Sequence, residues 1–182
     1  MNLYYKYIDP IAETFAYCLL RNHFHVSLKT KTEEEIIETL RVSKSKDPKG
    51  LLRPLGSDGL GSGYLSKKFS DFFNAYAKAI NKAYDRTGSL FQHPFGRVPI
   101  TTDRQFWNVI AYIHQNPQKH KFVKDFRDWK WSSYGILLAE KPTKLKRDIV
   151  LDWFGGKESY LDLHQQWVSD ADAKWFAEDD YD

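Results

Sequence analysis

The chain has 182 residues, of which 42% are hydrophobic and 16% aromatic, so it is long and apolar enough to form one globular domain with a sizeable core. The single Cys18 excludes a disulfide framework and a multi-cysteine zinc site, and no apolar run reaches the ~20 residues of a membrane span, so we expect a cytoplasmic protein without a signal peptide. The formal net charge of +3 divides into −5 for residues 170–182 and +8 for residues 1–169, and a basic body favours a polyanionic partner.

The chain opens with a short helix and a hairpin. Residues 1–9 resemble the end of a helix that stops at Pro10. Residues 14–20 form a β-type run, residues 21–22 a turn, and residues 23–29 an alternating pattern. We therefore predict two strands joined by a tight turn.

The second strand carries two histidines on one face. His23 and His25 are two residues apart, so they point the same way, opposite the apolar side chain of Phe24. Two imidazoles in this arrangement can bind one metal ion. Two ordinary histidines on the polar face of a strand give the same spacing, and this is the commoner case when the motif stands alone.

Two helices follow, separated by a long loop. Thr32 and Glu35 form a capping-box pattern at the start of a helix that ends near residue 42. Residues 43–64 are rich in glycine, serine and charge, which is typical of a long loop. Residues 65–85 form the strongest helical pattern, with an apolar stripe that we predict to be core. The stripe consists of Phe69, Phe72, Phe73, Tyr76, Ile80 and Tyr84.

A polar and basic stretch lies at the end of this helix and beyond it. Residues 88–97 are predicted to be an edge strand or an irregular segment, because prolines disfavour a central strand. Basic and amide side chains there and on the polar side of the helix can contact phosphates or bases, and each can also be merely solvated. The candidate DNA contacts are Lys78, Lys82, Arg86, Gln92, His93 and Arg97.

The next helix carries the second group of candidate catalytic residues. It is predicted to begin at Asp103, after a cap at Thr101 or Thr102, and to end near residue 115. Tyr112 and Asn116 are four residues apart, so their side chains lie on one face of the helix. Tyr112 is a candidate nucleophile and Asn116 a candidate cation ligand. The alternative is a structural tyrosine whose ring packs and whose hydroxyl is hydrogen-bonded.

The remainder is aromatic and predicted to be helical. Residues 128–134 open a short helix with serine caps, and residues 149–167 form one or two helices broken at residues 155–156.

Four motifs occur in an order that resembles a known family. They are NHFHVSLK, YAKAINKAYDRTGSLFQHPFGR, YIHQNP and WKWSSY, and the resemblance that they carry runs from about residue 15 to residue 138. The chain resembles the HUH single-tyrosine transposases, in particular the REP-associated tyrosine transposases. The later segment LDWFGGKESYLDLH resembles a C-terminal extension of some members.

The resemblance implies a fold and a domain organisation. It implies an α+β, ferredoxin-like HUH domain over residues 1–140, including the loop 43–64, with an antiparallel sheet and helices on one face. A helical extension over residues 141–169 and an acidic tail over residues 170–182 would follow. The chain begins inside the helix that matches the family, so we expect an N-terminal strand of the family's sheet to be missing.

The resemblance also implies a reaction. His23, His25 and Asn116 match the residues that hold a divalent cation, Mg²⁺ or Mn²⁺, and Tyr112 matches the nucleophile. The expected activity is transposition-type cleavage and strand transfer of single-stranded or hairpin DNA through a covalent 5′-phosphotyrosine. Pairing of two copies of the chain is compatible with this expectation, and no membrane partner is expected.

Two rival functions stay open at this stage. The first is a catalytically inactive or truncated nucleic-acid-binding domain derived from a transposase. The second is a hydrolase of small phosphoesters that uses the two histidines directly. His114 and His120 lie near Asn116 in the sequence and are secondary candidates for metal ligands.

Overall fold

The computed structural model describes residues 2–44, 63–92 and 95–169. The sheet in these residues has two strands, which form a hairpin. Strand β1 (Ala12–Leu19) pairs with strand β2 (Phe24–Thr30). The backbone N–H of Leu20 donates to the carbonyl of His23 at 2.9 Å, so the strands are antiparallel and the predicted turn is confirmed.

The described residues divide into two compact units. The first is drawn from residues 1–13 and 30–95, and the second from residues 14–29 and 96–182. The mixed α+β class is confirmed, and the ferredoxin-like arrangement stays a prediction. Most of the loop 43–64, the tail 170–182 and His93 lie outside the described residues. None of the helices described is long and apolar enough to cross a lipid bilayer.

The described part of the first unit contains three helices, α1 (Asn2–Tyr7), α2 (Glu33–Lys44) and α3 (Tyr64–Ala83). The predicted capping box begins α2, because the N–H of Thr32 donates to Oε2 of Glu35 at 2.8 Å and the N–H of Glu35 donates back to the threonine hydroxyl at 3.3 Å.

The aromatic stripe of α3 was expected to be core, and this prediction is wrong. None of the described α3 side chains is fully buried, and Tyr76 is 40% exposed. The stripe contacts rings of α1 and of the irregular segment after the helix, as in the Tyr4–Phe72 pair at 5.8 Å and the Phe73–Phe91 pair at 4.9 Å. A six-residue helix and a chain segment cover less surface than a sheet does, which leaves the rings partly exposed.

Residues 88–92 and 95–100 contain no strand, so the irregular alternative is the observed one. Gly88 adopts φ +91°, as expected for the residue that ends the turn after α3. Pro99, in the described part of this segment, cannot donate to a strand ladder.

Helix α4 (Asp103–Lys119) forms the centre of the second unit. Thr102 caps it, since its hydroxyl accepts from the N–H of Gln105 at 3.2 Å. Its apolar stripe is buried against β1 and the C-terminal helices. The buried core cluster comprises Phe15, Ala16, Cys18, Phe106, Ile110, Ile113, Phe126, Tyr134, Leu137, Val150, Phe154 and Tyr160.

The predicted end of α4 near residue 115 is wrong, because the helix continues through Pro117 to Lys119. Its end is a Schellman turn: the N–H of Phe122 donates to the carbonyl of Pro117 at 2.9 Å, and the N–H of Lys121 donates to the carbonyl of Gln118 at 3.0 Å. Lys121 adopts φ +59°, the left-handed conformation that this turn requires. These bonds satisfy carbonyls of the last turn. Pro117 lacks the N–H that would pair with the carbonyl of Ile113, so the helix continues past it without that one hydrogen bond.

The C-terminal part of the second unit packs on α4. It contains a 3₁₀ turn (Phe126–Asp128) and helices α5 (Tyr134–Leu138), α6 (Arg147–Phe154) and α7 (Lys157–Gln165). The predicted break between the last two helices is confirmed, and both of its glycines have positive φ. Residues 131–133 (WSS) lie along the edge of β1 that does not pair with β2, and Ser132 forms an antiparallel bridge with Cys18 there.

A hydrogen-bonded histidine pair crosses this core. Nδ1 of His164 donates to the carbonyl of Tyr160 at 2.7 Å, so its Nε2 accepts from Nδ1 of His114 at 2.8 Å. Nε2 of His114 then faces the hydroxyl of Ser133 at 2.8 Å. Both rings are fully buried, and this burial lowers the pKa of each, which favours the neutral form of both. His114, a secondary metal candidate from the sequence, is therefore a core residue.

The buried pair makes stability depend on pH. Burial lowers the pKa of His164 to about 4 and that of His114 well below its ordinary value. As the pH falls, both histidines are protonated near pH 6.5 in the unfolded chain and only at lower pH in the folded chain. The contribution of the buried pair to the free energy of unfolding is therefore complete above pH 6.5 and is lost as the pH falls toward 4. The expected loss from His164 is on the order of 3 kcal/mol in the free energy of unfolding. Urea titrations between pH 7 and pH 4 measure this loss. In the His164→Gln variant the free energy of unfolding should change less steeply with pH. Equal slopes would contradict the prediction.

Candidate active site

The two histidines of the hairpin lie side by side in the second unit. The ring centroids of His23 and His25 are 5.0 Å apart. Nδ1 of His23 lies 3.0 Å from Oδ1 of Asn22 and donates to it, which leaves Nε2 as the nitrogen with a lone pair. A carbonyl oxygen that fixes the tautomer in this way is a common feature of metal-binding histidines.

Helix α4 brings the other two candidate residues to the same place. The ring centroid of Tyr112 lies 5.8 Å from that of His25, with the planes at 77°. Nδ2 of Asn116 lies 3.2 Å from Nε2 of His25. The i, i+4 spacing on α4 and the alternation on β2 thus place the four side chains in one cluster, named here the candidate site: His23, His25, Tyr112 and Asn116.

The donor set fits a divalent cation. Asn116 is fully buried, and its Oδ1 has no hydrogen-bond partner among the described residues. A buried amide oxygen without a partner costs about 1–3 kcal/mol, which a cation would relieve. Ligands at ~2.1 Å in octahedral geometry lie about 3 Å from each other. Nδ2 of Asn116 now lies 3.2 Å from Nε2 of His25, so an exchange of the amide nitrogen and oxygen by rotation would bring Oδ1 to such a distance.

The set differs from a conventional all-histidine or carboxylate site. Within residues 2–44, 63–92 and 95–169, no group of three or more histidine, cysteine, aspartate or glutamate side chains is arranged to hold a metal ion. Two imidazoles and one amide leave room for phosphate oxygens and water, which hard cations such as Mg²⁺ prefer.

Two residues at the end of α4 border the candidate site. The ring of His120 lies 5.2 Å from that of His23. Its pKa is lowered by burial and, to a lesser extent, by the charges of His25 and Lys119. Nζ of Lys119 lies 4.6 Å from the centroid of the Tyr112 ring. The ammonium group of Lys119 at this position favours negative charge on the phenol oxygen of Tyr112.

A C-terminal segment covers Tyr112, a feature that local sequence patterns do not reveal. Val168 packs in one small buried cluster with Ala111 and Tyr112, and Tyr112 is 3% exposed. Gln115 holds the segment in place: its Nε2 donates to the carbonyl of Gln166 at 2.8 Å, and its Oε1 accepts from the N–H of Val168 at 3.1 Å. The partners of Gln115 lie about 50 positions away in the chain, so its spacing on α4 gave no signal of this contact.

The predicted DNA contacts do not form one cluster in a single unit. Lys78, Lys82, Arg86 and Gln92 are exposed on the first unit, and Arg97 is exposed on the second. Arg86 folds back toward the carbonyl of Ser89 at 3.4 Å. Their role in DNA binding stays a prediction.

A search against known proteins finds a distant relative. The chain is 24% identical over 124 residues, or 67% of its length, to a protein of Haemophilus influenzae named "Putative REP-associated tyrosine transposase". This confirms the resemblance to the REP-associated tyrosine transposases. The match covers 58% of the relative's length, so the chain spans less than two thirds of it. No family model and no solved structure matches the chain.

Proposed function

We propose that the chain cleaves and rejoins single-stranded DNA through a covalent bond between Tyr112 and a 5′-phosphate. The observation that carries the proposal is the cluster itself: the ring of Tyr112 lies beside that of His25, and the amide of Asn116 lies 3.2 Å from the same imidazole. The resemblance to the REP-associated tyrosine transposases supports the same chemistry.

In the proposed step, the phenol oxygen of Tyr112 attacks the scissile phosphorus. The bond from phosphorus to the 3′-oxygen breaks, the phenolic proton is released, and the 3′-oxygen takes up a proton from water. The phosphotyrosine conserves the phosphodiester, so a second 3′-hydroxyl can reverse the step and join new ends without ATP. Lys119, above the ring of Tyr112, favours the phenolate that attacks.

The residues that would hold the cation are His23, His25 and Asn116. A bound Mg²⁺ or Mn²⁺ would polarise the phosphate and stabilise the charge that develops on its oxygens. The chain's own contribution is to fix the imidazoles, through the Asn22–His23 hydrogen bond, and to hold the phenol at a constant distance from them by the packing of α4.

The burial of Tyr112 favours a second candidate function. A side chain that is 3% exposed reaches DNA only when the segment that contains Val168 moves. A nucleic-acid-binding domain without catalysis would need no such movement. This candidate keeps the basic surface and the fold and omits the covalent step.

Incubation with single-stranded DNA separates the two candidates. The full chain is mixed with a 3′-labelled oligonucleotide pool and Mn²⁺, and the products are separated under denaturing conditions. The catalytic proposal expects a labelled protein band and an unlabelled 5′ fragment with a 3′-hydroxyl, both absent in EDTA. A binding domain retards the DNA in a native gel and gives no such band. A metal-dependent release of phosphate from small esters without an adduct would favour the hydrolase alternative.

A further inference from the structure

A run of aromatic rings leads away from the candidate site across the turn after α4. From His23 the run passes to His120 at 5.2 Å, then to Phe122 at 6.0 Å, then to Trp129 at 5.9 Å. The last three rings are nearly parallel, with successive interplanar angles of 24° and 23°. All three are partly exposed to solvent. We name them the aromatic ledge: His120, Phe122 and Trp129.

The backbone holds the ledge in place. The Schellman turn, with Lys121 in the left-handed region at φ +59°, brings Phe122 back beside His120. Nε1 of Trp129 donates to the carbonyl of Leu19 at 2.9 Å, and its ring packs against the core cluster. Rings that are already fixed lose little conformational entropy when a ligand stacks on them.

The charge around the ledge is positive. The guanidinium carbon of Arg21 lies 5.4 Å from the centroid of Phe122, and Lys121 and Lys124 are exposed on the same turn. Asp125, the nearest acid in sequence, is paired with Arg127 by several short hydrogen bonds. Residues 119–131 contain five basic and two acidic side chains, so the region attracts a polyanion.

We propose that the aromatic ledge stacks a base of single-stranded DNA, in the first or second nucleotide from the phosphate presented to Tyr112. The inference rests on the proposed function, because it takes the candidate site as the place of cleavage. Parallel aromatic faces beside basic side chains are how proteins hold single strands without reading sequence. Arg21 and the lysines would bind the flanking phosphates.

Duplex DNA does not fit this surface. In a duplex both faces of each base are covered by its neighbours, so an exposed ring has no base face to contact. The ledge therefore predicts a preference for single strands, which the charge alone would not give.

The test is a double-mutant cycle of DNA affinities, which combines a change in the protein with a change in the oligonucleotide. All proteins carry Tyr112→Phe, so that no covalent chemistry contributes to binding. Phe122→Leu keeps the apolar contact of the turn and removes the aromatic face. It should weaken binding of a single-stranded oligonucleotide about tenfold and leave duplex binding unchanged. A single abasic site is then moved along the oligonucleotide. At one position near the phosphate presented to Tyr112, the abasic site should itself weaken binding about tenfold. With the abasic site at that position, Phe122→Leu should cause no further loss of affinity.

A matched control is Trp153→Leu. Trp153 is also a partly exposed aromatic residue of the second unit, at 47%, and it contacts Phe106 near the start of α4. This change should not alter binding. Equal binding by the Phe122→Leu variant, or an equal loss with intact and abasic strands at every position, would overturn the proposal.

Two further measurements cover the case in which Phe122→Leu fails to fold. Arg21→Gln alters an exposed side chain, and it should weaken binding several-fold and lower the salt dependence. In the unaltered chain, 5-iodouracil beside the cleaved phosphate should crosslink on irradiation to a ledge residue; crosslinks confined to other residues would overturn the inference. If one abasic position shows this coupling to Phe122→Leu and the unaltered chain forms no adduct, the proposed cleavage fails and the stacking surface stands.

Discussion

Replacing Tyr112 by phenylalanine is expected to abolish the covalent protein–DNA adduct, with a loss of at least about a thousandfold in its rate of formation. The change removes one oxygen, the atom that would form the bond to phosphorus. The ring should stay packed beside Ala111 and Val168 and under Lys119, so the free energy of unfolding should change by no more than about 1 kcal/mol. Denaturing gels and thermal melts measure the two effects on the same samples.

A matched variant separates chemistry from packing. Tyr134 is another buried tyrosine of the second unit, and its ring packs in the core cluster. Tyr134→Phe should leave adduct formation unchanged. An adduct that persists in Tyr112→Phe, or that disappears equally in Tyr134→Phe, would assign the nucleophile to another group.

Replacing Asn116 by leucine is expected to separate stability from activity. The side chains have similar size, and the amide oxygen of Asn116 is buried without a hydrogen-bond partner among the described residues. Leucine also removes the contact of Nδ2 with Nε2 of His25, so the two effects oppose each other, and the metal-free protein should stay within about 1 kcal/mol of the stability of the unaltered chain. Adduct formation should fall by about 100-fold or more, because a cation ligand is lost.

Asn116→Asp provides the opposite case. A carboxylate keeps an oxygen donor and adds a charge that is costly to bury without a cation. In EDTA the melting temperature should fall, and Mn²⁺ should restore it and support adduct formation. If Asn116→Leu lowers stability in EDTA and leaves the adduct intact, the amide is structural and the cation is held elsewhere.

Local spacing accounts for which candidate side chains share a face of one element. Alternation on β2 places His23 beside His25, and helical periodicity places Tyr112 and Asn116 on one face of α4. The caps at Thr32 and Thr102 and the glycine break between α6 and α7 follow from short-range hydrogen bonds and backbone preferences. Such features depend on a few neighbouring residues, which is why sequence indicates them.

Long-range contacts account for what the sequence did not indicate. The helix α4 continues past Pro117 and ends in a Schellman turn, with a lysine where glycine is usual. The clamp of Gln115 on Val168 joins residues 53 positions apart. His114 was a metal candidate by proximity in sequence, and it is a core residue because its partner His164 is 50 positions away. No local pattern encodes these partners.

The most direct test of the central claim is the identity of the residue that carries DNA after the reaction. The adduct formed with Mn²⁺ is treated with nuclease, digested with trypsin and analysed by mass spectrometry. The tryptic peptide of residues 105–119 contains Tyr112 as its one tyrosine, and we expect a 5′-linked nucleotide on that phenol. A nucleotide on any other side chain, or a chain that binds single strands tightly and never carries one, would contradict the account.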